Sequence, residues 1–190
     1  MKTTIHLVLL FVMASAVAYA QDKKDPKKGD KEQKEMKKEE KKEPKENKLS
    51  PLKKSEGTIN GAKVKVVYHA PSARGRKMIG EKEPFGKVWR TGADNATTFE
   101  VSKAVKIEGK DLAAGKYELF TIPGETEWTV IFQKFGDQWG AYSYKEENDV
   151  LRVTVPAGKP DAFVETLDIN VGSDKVNIKW ENSAVAFAVK

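Results

Sequence analysis

The fold of this chain is indicated first by residues 117–132, which read YELFTIPGETEWTVIF. Two runs rich in aromatic and β-branched residues, Tyr117–Ile122 and Trp128–Phe132, are separated by Pro123-Gly124, a pair typical of turns. The second run is apolar or β-branched throughout, as expected of a strand that is buried on both faces. We therefore predict two strands joined by a turn.

Further short runs of the same kind occur on both sides of this pair, and turn residues separate them. Asn60-Gly61 is a strong signal for a tight hairpin. The other predicted strands lie within Val64–Tyr68, Thr97–Val101, Leu151–Val155, Phe163–Val171, Val176–Trp180 and Val185–Val189. Eight or more strands without long crossovers predict an all-β fold, an antiparallel β-sandwich or a barrel-like jelly roll.

The N-terminal residues 1–20 have the features of a secretory signal peptide. Lys2 precedes the apolar run Ile5–Val12, and Ala18-Tyr19-Ala20 has the small-x-small pattern of a cleavage site. The alternative is an uncleaved membrane anchor, but the apolar stretch is shorter than the roughly 20 residues that a spanning helix needs. The sequence predicts an exported protein, periplasmic or extracellular.

Composition changes sharply after the signal peptide. Residues 21–56 contain 14 lysines and 10 acidic residues with few apolar ones, which predicts a disordered Lys/Glu-rich tether. The tether is interpreted as a solvated spacer or as a segment that makes weak electrostatic contact with an anionic surface. Residues 57–190 are then expected to form one β-sandwich domain.

Two compositional facts exclude classes of function. The chain has no cysteine, which excludes disulfides, thiolate zinc sites and cysteine nucleophiles. Residues 57–190 carry 19 basic and 18 acidic side chains, a balance unlike that of a nucleic-acid-binding domain. A partner is therefore expected to be a small ligand, a glycan or an envelope protein, and not a nucleic acid.

Candidate binding residues concentrate in residues 84–98, PFGKVWRTGADNATT, with HAPSARGRK at 69–77 and QWGAYSY at 138–144. These segments are predicted loops or loop edges, where binding groups usually lie. The candidates are Arg74, Arg76, Lys77, Trp89, Arg90, Thr91, Asp94, Asn95, Trp139 and Tyr142.

Each group of candidates has an alternative structural role. Trp89, Trp139 and Tyr142 are suited to stacking on a sugar or another flat ligand, but burial in the core is favoured for the two tryptophans. Arg90 with Asp94 would bind an anionic or hydroxylated ligand, or would form an internal ion pair. The basic side chains of residues 74–77 would bind a phosphate or carboxylate, or remain solvated, or pair with nearby glutamates at 81 and 83.

Catalytic and metal chemistry have weaker support in the sequence. His69 is the one histidine outside the predicted signal peptide, so a general base is conceivable but a multi-histidine metal site is not. The acidic run Glu146–Asp149 lacks a recognisable calcium-loop pattern. No metal and no cofactor are expected.

Several motifs together resemble DUF2911, a family of exported bacterial domains of unknown function. They are FGKVWRTGA (85–93), LAAGKYELFTIPG (112–124), WTVIF (128–132) and QWGAY (138–142), in this order. The resemblance runs from about Gly57 to the C-terminus and implies an exported β-domain without implying an activity. Members often carry Ala-Asn-Glu-Ala-Thr where this chain has ADNAT at 93–97, so the acid stands one residue earlier here.

The sequence thus leads to three hypotheses. The first is a non-catalytic module that binds a small ligand, glycan or protein through the loops Arg74–Lys77 and Trp89–Thr97. The second is a hydrolase with Arg90, Asp94 and His69 in a shared cleft, for which these side chains must converge. The third is a structural, envelope-associated protein.

Overall fold

A computed structural model describes residues 49–190, which form an almost entirely β-structured domain. The predicted signal peptide and residues 21–48 of the predicted tether lie outside the described residues. The strands are β1 (Leu52–Ile59), β2 (Ala62–His69), β3 (Ala93–Val101), β4 (Val105–Ile107), β5 (Lys110–Leu112), β6 (Gly115–Ile122), β7 (Glu127–Lys134), β8 (Asp149–Pro156), β9 (Val164–Val171), β10 (Lys175–Glu181) and β11 (Ser183–Ala188).

Two antiparallel sheets and a small hairpin account for all of these strands. The larger sheet has the order β1-β2-β3-β6-β7-β8, and the smaller sheet has the order β11-β10-β9. Strands β4 and β5 pair with each other, and Ile107 of β4 also forms an isolated antiparallel bridge with Val189. Every ladder between neighbouring strands is antiparallel, so the predicted all-β sandwich is confirmed.

The core lies between the two sheets and contains many aromatic side chains. Phe187 of the small sheet packs against Phe132 and Phe99 of the large sheet, with ring centroids 5.5 and 6.1 Å apart. Trp180 stacks on Trp89 at 5.5 Å. Aromatic residues bury large apolar areas, so these contacts join the two layers strongly.

The outer face of the large sheet carries a second, smaller apolar cluster. Phe120 and Ile131 are fully buried there, beneath Ala141 and Tyr144 from the segment that follows β7. This explains why the run 128–132 is apolar at successive positions, as predicted: one face meets the core and the other is covered by a loop. The same loop carries the predicted aromatic candidates.

Two parts of the β-structure were not predicted. β1 begins at Leu52, so the expected boundary at Gly57 falls inside a strand that pairs with β2 along its whole length. β1 is a polar edge strand held by main-chain hydrogen bonds, which hydrophobic patterning does not detect. Strands β4 and β5, of three residues each, are too short to show alternation.

The tight turn between β1 and β2 has the backbone conformation that its sequence predicts. Asn60 and Gly61 join β1 to β2 with φ of 48° and 74°. Positive φ at both central positions is the requirement of the type I′ hairpin turn that Asn-Gly favours. Within residues 49–190 the one helical element is the 3₁₀ turn Glu146–Asn148, and no helix there is long and apolar enough to cross a membrane.

Candidate ligand-binding site

A cleft of about 430 Å³, the aromatic cleft, lies where β2 ends and β3 begins. It is lined by Leu49, Ser50, His69, Asp94, Asn95 and Trp139. Its volume falls in the range of small-ligand sites. Three of the predicted candidates, Asp94, Asn95 and Trp139, therefore share one cleft, together with His69.

An irregularity in the sheet brings His69 and Asp94 together. The β2–β3 register shifts between Val67 and His69, so that His69 pairs with Ala93. Asp94 has a φ of 55°, a left-handed conformation that aspartate tolerates better than most residues. His69 Nδ1 consequently lies 3.4 Å from Asp94 Oδ2.

The hydrogen bonds of His69 define which ring nitrogen carries the proton. His69 Nδ1 lies 3.1 Å from the carbonyl oxygen of Ser50, which can only accept. Nδ1 therefore donates, with the Asp94 carboxylate as a second acceptor nearby. In the neutral ring this leaves Nε2 with a free lone pair, which can accept a hydrogen bond from a hydroxyl group.

Trp139 is held at the cleft by main-chain contacts to β3. Ala96 N donates to the Gln138 carbonyl oxygen at 2.9 Å, and Gly140 N donates to the Asp94 carbonyl oxygen at 2.8 Å. Gly140 has a φ of 73°, and a Cβ there would lie 2.9 Å from the Tyr142 ring. The tight QWGAY turn thus requires a glycine at this position.

Trp139 and Tyr142 form an exposed aromatic pair. Their rings stack with centroids 5.7 Å apart and an interplanar angle of 15°. The two residues are nevertheless 64% and 85% exposed. The expectation that Trp139 fills the core is wrong, because its loop lies on the outer face of the large sheet.

Buried polar side chains support this loop from below. Glu118 of β6 is fully buried and accepts a hydrogen bond from Gln138 N at 2.7 Å, and the Gln138 amide nitrogen also donates to it. That same amide nitrogen donates to Gln133 Oε1 at 2.8 Å. Alternation along β6 indicates only that Glu118 faces away from the core, so its burial was missed.

A second cleft of about 280 Å³, the arginine cleft, adjoins the first. Leu49 and Ser50 line both clefts, and the consecutive residues Ala93 and Asp94 line one each. The charged side chains of the second cleft belong to Arg74, Arg76, Glu83 and Arg90. Burial raises the pKa of Glu83, and the neighbouring Arg90 opposes this effect.

The remaining predicted candidates are divided between the core and the surface. Trp89 is buried against Trp180 and Trp128, as favoured, and Thr91 is fully buried, so neither is placed to meet a ligand. Thr91 has a φ of 57°, unusual for a β-branched residue. Its carbonyl oxygen accepts from Thr97 Oγ1 at 2.8 Å, which helps to hold the turn.

Of two pairings considered from the sequence, Lys77 with Glu81 is formed and Arg90 with Asp94 is not. Lys77 Nζ lies 3.8 Å from Glu81 on the surface and does not line either cleft. Asp94 contacts His69, whereas Arg90 lines the arginine cleft, so the internal Arg90–Asp94 ion pair is not formed. The shared cleft expected for Arg90, Asp94 and His69 is thus divided between two adjoining clefts.

The potential metal-ligating side chains of residues 49–190 are dispersed or engaged in contacts within the domain. No group of three or more histidine or carboxylate side chains within residues 49–190 is arranged to hold an ion. The acidic segment 146–149 is used differently: Asp149 accepts from Arg152 Nε at 2.5 Å and from the Tyr144 hydroxyl at 2.7 Å.

The family of the chain follows from a comparison with family models. Residues 50–189 match the model described as a protein of unknown function, DUF2911. The chain belongs to the DUF2911 family. Comparisons with curated proteins and with solved structures give no significant match. The match begins at Ser50, so it includes β1 and one of the two residues that the clefts share, Ser50 but not Leu49. The DUF2911 domain is larger than the resemblance alone indicated.

Proposed function

We propose that this DUF2911 domain is a non-catalytic glycan-binding module of an exported protein, with its ligand in the aromatic cleft. The observation that carries the proposal is the exposed Trp139–Tyr142 stack beside His69, Asp94 and Asn95. Since Tyr142 covers one face of the indole, the other face is available to a ligand. Contiguous exposed apolar patches, unlike single exposed residues, often mark binding sites.

The polar groups around Trp139 match the hydroxyl groups of a sugar. The Asp94 carboxylate accepts hydrogen bonds, His69 Nε2 accepts one, and the Asn95 amide both donates and accepts. An apolar ring face with a few fixed polar groups is the usual composition of a small-ligand site. The sheet irregularity at His69 and the turn at Gly140 hold these groups before the ligand arrives, which lowers the entropic cost of binding.

A larger cleft, of about 480 Å³, lies elsewhere on β1–β3 and fits this role less well. It is lined by Glu56, Gly57, Thr58, Lys63, Val64, Lys65, Glu100 and Ser102, with no aromatic side chain. Its central charges partly neutralise each other, because Lys65 Nζ lies 3.7 Å from Glu100. It offers charged, solvated side chains and no ring face.

The proposal is tested by screening neutral and acidic oligosaccharides against the described domain, residues 49–190, and the full mature chain. Calorimetric titration should give saturable binding that Trp139→Ala reduces about tenfold or more, consistent with the stacking of a ring. Phe163→Ala removes another exposed aromatic residue outside both clefts and should leave the affinity unchanged. Absence of binding by every oligosaccharide would contradict the proposal.

A second candidate function is hydrolysis, because the His69–Asp94 contact resembles the base and orienting acid of many hydrolases. His69 Nε2 would be the general base. Ser50 is the hydroxyl residue that lines the cleft, but its observed contact to His69 is through its carbonyl oxygen. Turnover of chromogenic ester or glycoside substrates that His69→Gln abolishes would favour this function over simple binding.

A further inference from the structure

We propose that the arginine cleft is a carboxylate subsite of the same ligand site, so that the bound glycan is an acidic one with a uronic acid unit. The proposal rests on the proposed function and specifies its ligand class. Its geometric basis is the adjacency of the two clefts through Leu49, Ser50 and the consecutive residues Ala93 and Asp94. One oligosaccharide can therefore place a ring on Trp139 and a charged substituent among the arginines.

The guanidinium groups of the arginine cleft are fixed in place but retain free donors. Arg76 donates to the carbonyl oxygens of Ala73 and Ser72 at 2.9 and 3.1 Å, and Arg74 Nη2 donates to that of Leu49 at 3.2 Å. A guanidinium has five N–H donors, so most of the donors on Arg74 and Arg76 remain available. These main-chain contacts hold the charged groups at the cleft without neutralising them.

Arg90 provides the second indication that an acceptor is expected here. Its Nε is buried and has no hydrogen-bond partner among the described residues. Within residues 49–190, no carboxylate oxygen lies within 4 Å of a guanidinium nitrogen of Arg90 or Arg74. The Glu165 carboxylate accepts instead from the main-chain nitrogen of Arg74 at 2.6 Å. Arg152 shows the contrasting case, because it contacts both Asp149 and Glu146. A ligand carboxylate in the cleft would give the two terminal nitrogens of Arg90 the planar, two-pronged partner that guanidinium groups favour.

The charge of the cleft favours an anionic ligand group. Three guanidinium groups face one carboxylate, that of Glu83, so the net charge is positive. Because burial raises the pKa of Glu83, this group loses its charge at a higher pH than an exposed glutamate does, and its neutralisation should strengthen the binding of an anion.

The experiment compares an oligogalacturonate with its methyl ester, which has the same rings without the charges. Titrations of the mature protein should show at least tenfold tighter binding of the acid, and Arg90→Gln and Arg74→Gln should each reduce this preference several-fold. Lys77→Gln removes an exposed cation outside both clefts and should preserve the preference. Trp139→Ala should weaken the binding of both ligands equally.

Each other outcome has a distinct meaning. Equal affinity for acid and ester would overturn the carboxylate subsite while the glycan-binding function stands. Inorganic phosphate that displaces the acid at comparable concentration would show a general anion site and would also overturn the proposal. If neither oligosaccharide binds, NMR spectra of the arginine Nε–H groups in the presence of free galacturonate test the subsite. No shift of the Arg90 signal would contradict the subsite. A shift that the acid causes and its ester does not would support it.

Discussion

The backbone of His69 passes so close to Gly92 that a methyl group on Gly92 would lie 2.9 Å from the His69 carbonyl oxygen and 3.0 Å from Thr97 Oγ1. Gly92 belongs to the turn that separates Trp89 in the core from Asp94 in the aromatic cleft. The close approach therefore sets the position of His69 relative to Asp94.

Gly92→Ala should lower both stability and glycan affinity. The added methyl group forces the His69 backbone to move, and overpacking of this kind typically costs about 1–3 kcal/mol of unfolding free energy. Chemical denaturation and calorimetric titration measure the two effects. The control is Gly158→Ala, whose Cβ would be at 3.5 Å from the nearest atom, the Ala184 carbonyl oxygen. Equal stability of Gly92→Ala and wild type would contradict this role.

Trp89→Ala should destabilise the domain without a specific effect on the ligand site. Trp89 stacks on Trp180 at 5.5 Å and meets Trp128 edge-on at 6.2 Å. Truncation of such a core residue typically costs about 3–5 kcal/mol. Thermal or urea unfolding measures the loss, and the exposed Trp139→Ala should stay within about 0.5 kcal/mol of wild type. A Trp89→Phe variant that kept its stability but lost glycan affinity would contradict the assignment of Trp89 to the core.

The contrast between Trp89 and Trp139 shows where sequence patterns stop being informative. Both tryptophans lie beside polar and glycine residues, and the sequence favoured the core for both. Burial depends on which face of the sheet each loop crosses, and that is a property of the assembled fold. The strands themselves were predictable, because alternation and turn residues act locally.

The sequence identified most residues of the candidate site, but it did not show which of them lie together in the fold. The sequence singled out Asp94, Asn95 and Trp139, yet it paired Asp94 with Arg90 because the two are close in the chain. The sheet irregularity at His69 and the left-handed Asp94 instead direct the carboxylate to His69. Polar edge strand β1 and buried Glu118 were missed, since main-chain pairing and loop coverage leave no periodic signal.

Glu118→Gln should loosen the loop that carries Trp139. Glu118 accepts hydrogen bonds from both the main-chain and the side-chain nitrogen of Gln138. A glutamine in its place has one acceptor oxygen, and its amide nitrogen, which is a donor, would face a donor nitrogen of Gln138. A buried polar group without a hydrogen-bond partner lowers the free energy of unfolding by about 1–3 kcal/mol. Hydrogen exchange across residues 136–144 should become faster.

The matched control for Glu118→Gln is Glu100→Gln. Glu100 belongs to the adjacent strand β3, but its side chain is half-exposed and lies 3.7 Å from Lys65. Exposed ion pairs contribute little to stability, so this variant should stay within about 0.5 kcal/mol of wild type. Unchanged exchange in the loop of Glu118→Gln would show that Glu118 does not hold Trp139 in place.

Tyr144 should make the domain less stable in alkaline solution. Burial, together with the hydrogen bond to Asp149, raises the pKa of Tyr144 from 10.0 to about 12, although Arg152 partly opposes the shift. Between these two pH values the folded protein keeps a proton that the unfolded chain has released. The free energy of unfolding therefore falls as the pH rises through this window.

Tyr144→Phe should reduce the slope of stability against pH, as measured by urea denaturation at closely spaced pH values between 9 and 12. Burial raises the pKa of Tyr68 and of Tyr117 as well, so a smaller slope of the same sign should remain. Tyr142→Phe, at an 85% exposed position of the same loop, should keep the slope of the wild type. Identical slopes for Tyr144→Phe and wild type would mean that the Tyr144–Asp149–Arg152 contacts do not link proton binding to the docking of this loop.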